Sequence, residues 1–118
     1  MHTAALWKSS DERRYEPRKP LHTRVQLLLP NTSLIEARAF DISLGGLGMV
    51  SPLNLPVRAQ GTAAFSLPVK DGAIQTIRLP VRIAYSICSS ANVGFKIGLQ
   101  WLSIDEQDRF KIAAYIQT

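Results

Sequence analysis

From Thr23 onward, apolar side chains recur at every second position. In "RVQLLL", Val25, Leu27 and Leu29 alternate with Arg24, Gln26 and Leu28. In "LIEARAFDI", Ile35, Ala37 and Ala39 alternate with Glu36, Arg38 and Phe40. Period two marks a strand with one buried face, and "PNTS" (30–33) between the two segments reads as a turn, so they are expected to pair as an antiparallel hairpin. "SLGGLG" reverses the chain into a third strand, "LGMVS". "SPLNLPVRAQG" holds two prolines and little periodicity, and reads as a loop crossing the sheet end. "TAAFSLPV" and "IQTIRLPVRIAYSI" are strands around "KDG", where Asp71-Gly72 suits the positive φ of a type I′ turn. Pro68 and Pro80 are expected near strand ends or on edges, where a missing N–H costs little. After a turn at "SSAN", "VGFKIGLQWLSI" is the last strand. Gly94 and Gly98 within it suggest a bulge or close backbone packing.

The period then changes. "SIDEQDRFKIAAYIQ" offers Ser103 as N-cap with Glu106 three residues on, a capping-box pattern. Asp105, Glu106 and Asp108 suit the first turn of a helix, and Phe110, Ile112, Ala113, Ala114 and Ile116 give it a partly apolar face. The expected fold is mainly β: a six-stranded antiparallel β-barrel with a C-terminal α-helix against its mouth. Residues 1–12 lack periodicity and are expected to form a disordered tail. One domain fills 13–118, with an arm at 13–20, the barrel at 22–102 and the helix at 104–117.

The arm changes the picture. "DERRYEPRKPLHTR" (11–24) carries Arg13, Arg14, Arg18, Lys19 and Arg24, while Pro17 and Pro20 prevent a helix. The 118-residue chain has a net charge of +5, which favours an anionic partner. No apolar run approaches the roughly 18 residues that span a bilayer. With one cysteine, Cys88, and no secretion signal, a cytoplasmic protein is expected. Cys88, at the end of an apolar strand, is expected to be a buried, inert thiol. Only His2 and His22 are available for a His-based relay or metal cluster, and neither a P-loop nor GxGxxG occurs, so no enzyme and no metal site are expected.

Two constellations remain. In the arm, arginine presents a planar fork of donors that fits a phosphate or the O6/N7 edge of guanine, and Pro17 restricts the chain around it. A solvated basic tail is the plain alternative. At a strand junction, "DISLGG" (41–46) places Asp41 and Ser43 beside Gly45 and Gly46, which permit positive φ or close approach of a ligand. A carboxylate there matches the N1–H and N2–H donors of guanine. A turn shaped by Asp or Ser is the plain alternative. The segment between Arg18 and Asp41 is long enough for one two-stranded excursion, which would bring the two constellations to one sheet end.

In this arrangement the sequence resembles the PilZ domains, bacterial receptors for cyclic di-GMP. Their signature is RxxxR in an N-terminal loop and [D/N]xSxxG at a strand junction. Arg14 and Arg18 match the first, and Asp41, Ser43 and Gly46 match the second. "VGFKIGLQWLSID" and the helix after it extend the resemblance over roughly 12–117. The resemblance implies a stand-alone receptor and adaptor that changes conformation on binding cyclic di-GMP and regulates an unidentified effector protein. Arg13, Arg14 and Arg18 would contact phosphates and guanine, Asp41 and Ser43 would read a guanine edge, and Gly46 would clear space. Tyr85 would lie against a base, or equally be a surface tyrosine. Trp101 is expected in the core, and Trp7, Phe110, Tyr115 and Ile116 form a core, a frayed end or a partner surface. Two other classes stay open: a small β-barrel binding single-stranded nucleic acid, and an interaction module without a nucleotide. Asp41 within the site and the scarcity of stacking aromatics argue against nucleic acid.

Overall fold

The computed structural model describes residues 16–31 and 34–118. The strands are β1 (Lys19–Pro20), β2 (Arg24–Leu28), β3 (Leu34–Ile42), β4 (Gly46–Ser51), β5 (Gln60–Pro68), β6 (Ile74–Ser89) and β7 (Gly94–Trp101), followed by helix α1 (Glu106–Gln117). Strands β2 to β7 close into a six-stranded antiparallel barrel in the order β3-β2-β5-β6-β7-β4, and β4 returns to pair with β3. The alternation in β2 and β3 is as expected: Val25, Leu27, Ile35, Ala37 and Ala39 are buried while the intervening residues face outward. Trp101 belongs to the core, where its ring stacks on Phe65 at 5.7 Å between centroids.

Beyond the expected six strands, the arm supplies the two-residue β1. Lys19 and Pro20 pair with Ile42 and Asp41 of β3, which fastens the arm beside the strand junction. The expected tail at 1–12, with Trp7, lies outside the described residues.

The turn at 70–72 has the positive φ expected at Asp71 (67°) and Gly72 (76°). Pro80 lies inside β6, yet its carbonyl faces β7 and accepts from Leu102 N at 2.9 Å, just beyond the last β7 pair at Trp101. A proline N there interrupts no ladder bond. The 52–59 segment crosses the barrel end from β4 to β5. Within it Leu55 is buried, Leu55 N donates to Ser86 Oγ at 3.2 Å, and Arg58 N donates to Ile83 O at 2.7 Å.

Two local expectations fail. The helix cap is Asp105, whose Oδ1 accepts from Asp108 N at 2.8 Å, rather than Ser103. Ile104 packs on the core, so the chain stays extended past Ser103 and α1 starts at Glu106. Cys88 is exposed rather than buried. β5 pairs with β6 only as far as Arg82, and Cys88 lies further along, where β7 alone pairs with β6. Across the barrel end, Ile112 anchors α1 in the core while Phe110 stays in solvent.

Candidate functional site

The site is built by two β-bulges. Ile35, Ala37 and Ala39 point inward, and unbroken alternation would turn Asp41 inward as well. Phe40 is an extra residue between the Ala39↔Met49 and Asp41↔Gly48 pairs, so Asp41 turns outward and Ile42 takes the core position. The same device acts on β6. Ile77, Leu79, Val81 and Ile83 are buried, and the bulged Ala84 carries Tyr85 to the surface. A bulge re-aims a side chain without ending the strand.

The two re-aimed residues flank a glycine floor. Asp41 pairs with Gly48, Gly48 with Gly98, and Gly98 with Tyr85. A Cβ on Gly48 would stand 2.5 Å from Asp41 Oδ1 and 2.7 Å from the Phe40 ring, and one on Gly98 would stand 2.2 Å from the Tyr85 ring. The expected close packing at Gly98 is therefore present, with the bulge on the facing strand. Above this floor lies an open cleft of about 340 Å³, whose walls include Glu16, Arg18, Phe40, Tyr85 and Lys96. Lys96 Nζ sits 5.2 Å from the Phe40 ring centroid, a cation–π distance.

Of the residues singled out from the sequence, Arg18, Asp41, Ser43, Gly46 and Tyr85 all line this cleft. Arg13 and Arg14 lie outside the described residues. Arg18 Nη2 donates to Asp41 Oδ1 at 2.9 Å, and Nη1 to Ser43 Oγ at 3.3 Å. Burial opposes the charge of Arg18. The hydrogen bond and charge of Asp41 outweigh it, with smaller help from Tyr85 and Glu16, and hold the guanidinium pKa above its ordinary value.

Ser43, fully buried, shapes the turn. Its Oγ accepts from Gly45 N and Gly46 N at 3.2 Å each and donates to Glu16 Oε1 at 3.0 Å. Asp41, by contrast, has Arg18 as its partner among the described residues. Neither Gly45 nor Gly46 adopts positive φ, the freedom the sequence suggested for them. Gly46 is needed for a different reason: a Cβ there would stand 2.0 Å from Leu99 O of β7.

The arm is also tied to the helix. Lys19 Nζ donates to Tyr115 O at 3.1 Å and to Thr118 Oγ1, and lies 4.4 Å from the Tyr115 ring centroid. Tyr115 OH in turn donates to Pro20 O at 2.6 Å. Sequence reasoning missed Glu16, Gly48, Gly98 and Lys96 as parts of the site. "GGLG" hinted at Gly48 and the close packing expected at Gly98 hinted at that glycine; Lys96 depends on cross-strand register, and Glu16 on where the arm meets the strand junction.

A small closed antiparallel barrel with Arg18 laid across an Asp-x-Ser strand junction defines the class of fold and site. Residues 12–118 match the PilZ domain family, and the chain belongs to it. No curated protein sequence matches the chain. Among solved structures, the chain is similar to the inhibitor of motility MotI/DgrA of Bacillus subtilis, with TM-score 0.77 and 19% identity, covering 89% of this chain and 50% of that one. It is similar to YcgR of Escherichia coli in complex with c-di-GMP, with TM-score 0.70 and 16% identity, over 89% of this chain and 45% of YcgR. Against the PilZ domain of YcgR with c-di-GMP, the TM-score is 0.63 at 14% identity, covering 89% of each chain. The chain thus spans about half the length of the first two, and at these identities the likeness is one of fold.

Proposed function

We propose that this chain is a cyclic di-GMP receptor without catalytic activity that passes a conformational signal to a partner protein. The observation that carries this reading is the meeting of Arg18, Asp41 and Ser43 in one cleft, at the family's motif positions. Support also comes from the similar folds of YcgR and its PilZ domain, both with c-di-GMP.

Each residue has a part suited to its chemistry. The guanidinium of Arg18 offers a donor fork to a phosphate or to guanine O6/N7, with Arg13 and Arg14 as further contacts from the arm. Asp41 keeps carboxylate lone pairs facing the cleft for N1–H and N2–H. Tyr85, leaning over Gly98, offers a face on which a base can stack.

Recruiting Arg18 to a ligand redirects a group now bound to Asp41. Lys19, the next residue, is fastened to Tyr115, so movement of the arm strains the C-terminal end of α1. That is the proposed route to the effector. Among the described residues no helix is long and apolar enough to cross a membrane, and a cytoplasmic site of action is part of the proposal.

Isothermal titration with cyclic di-GMP tests the reading, with cyclic di-AMP and a single-stranded oligonucleotide as controls. Saturable binding of cyclic di-GMP alone is expected, and preference for the oligonucleotide would overturn it. Asp41→Ala sharpens the test. Its removal leaves two guanine donors unpaired, about 1–3 kcal/mol, so affinity should fall by about five- to 150-fold. Ser43 holds the turn amides, so the melting temperature of the free mutant should stay close to wild type. A lowered melting temperature with preserved affinity would make Asp41 a structural residue.

A further inference from the structure

Three donors converge on Ser43 Oγ: Arg18 Nη1 at 3.3 Å and the amides of Gly45 and Gly46 at 3.2 Å each. A hydroxyl has two lone pairs and one hydrogen. Its acceptor capacity is therefore used up, and its own hydrogen must point away from all three. That hydrogen goes to Glu16 Oε1 at 3.0 Å. The other acceptor nearby, Gly46 O, lies at 3.5 Å and already takes the Ser43 N–H at 2.9 Å. The Glu16 carboxylate also acts on the charge of Arg18. It lies over Gly45, where a Cβ would stand 3.0 and 3.1 Å from its two oxygens. Glu16 thus fills the position at which the Ser43 hydroxyl faces an acceptor in the cleft.

We propose that Glu16 sets the affinity of the site: it is an internal anion that an anionic nucleotide must displace before the Ser43 hydroxyl can serve the ligand, and its charge competes with the ligand for Arg18. This rests on the reading of the cleft as a cyclic di-GMP site. Glu16 is separated from Arg18 only by Pro17, so it reaches the acceptor position at high effective concentration and with little chain entropy to lose. A phosphate entering the cleft meets a like charge that must leave or be neutralised. The arm therefore carries both the cation that recruits the ligand and the anion that opposes it.

Glu16→Gln keeps the shape and removes the charge; Glu16→Ala removes the competitor. Titrated with cyclic di-GMP, both variants should bind about three- to tenfold more tightly than wild type. The advantage should shrink as salt is raised, because screening weakens the repulsion being relieved. Thermal melts should stay within a few degrees of wild type, since Glu16 precedes the first strand. Equal or weaker binding by both variants would overturn the proposal. If neither wild type nor variants bind cyclic di-GMP, the functional reading fails, and inorganic phosphate then decides the role of Glu16. Its titration should give saturating shifts of the Gly45 and Gly46 amide resonances in Glu16→Ala but not in wild type. Identical responses in the two proteins would dismiss Glu16 as a competitor.

Discussion

Replacing Arg18 with alanine is expected to weaken cyclic di-GMP binding by about ten- to a hundredfold or more while leaving the barrel folded. Arg18 precedes β1 and offers both Nη atoms to the cleft, one on Asp41 and one on Ser43. Hydrogen bonds to charged groups contribute about 1.5–3 kcal/mol each, and every 1.4 kcal/mol is about tenfold in affinity. Stability should respond far less. The Arg18 and Asp41 side chains are 35% and 24% exposed, and ion pairs that solvent reaches are worth roughly 0–1 kcal/mol. Arg18→Lys separates charge from geometry. A lysine keeps the charge but cannot bridge two acceptors with a planar fork, so its affinity should fall between alanine and wild type. Isothermal titration beside thermal melts reads both quantities. Unchanged affinity in Arg18→Ala would remove the arm from ligand recognition.

The second large effect concerns folding. Gly46→Ala is expected to destabilise the free protein by about 3 kcal/mol, near the upper end of typical overpacking costs. The added Cβ would stand 2.0 Å from the carbonyl oxygen of Leu99, and backbone cannot swing aside as a flexible side chain can. Gly46 pairs with Gln100 at the start of β4, so relief requires parting β4 from β7 and opening the closed barrel. For a domain of this size the loss corresponds to roughly 10–20 °C in melting temperature. Gly45→Ala is the control. Its Cβ would meet only the flexible end of Glu16, at 3.0 Å, so its melting temperature should stay near wild type. Equal melting temperatures for the two variants would show that Gly46 is dispensable to the β4–β7 contact.

The strands were legible because their information is local. Alternation in "RVQLLL" and "LIEARAFDI" tells which face is buried whatever partner covers it, and the structure buries that face. The Asp71-Gly72 turn was legible for the same reason, since positive φ is a property of those residues and their neighbours. The helix was visible in outline, but its start was not. Ser103 and Asp105 both have capping chemistry, and only the burial of Ile104 decides between them. Cys88 was misjudged because an apolar strand segment does not reveal where the neighbouring strand stops covering it.

Part of the candidate site could be named from order and spacing: Arg18, Asp41, Ser43 and Gly46 stand at motif positions, and the fold brings them to one cleft with Tyr85. The sequence pattern by itself determined the strands, the apolar faces of β2 and β3 and the few polar residues set among them. The tertiary structure decided that Asp41 and Tyr85, at positions where alternation points inward, face a cleft. Bulges at Phe40 and Ala84 reverse them, and a bulge is a property of two strands in register rather than of one. It likewise decided the Gly48–Gly98 floor and the contact of Glu16 with Ser43, 27 residues apart. Such contacts are fixed by closure of the barrel, which sets the distance between residues that the sequence leaves far apart.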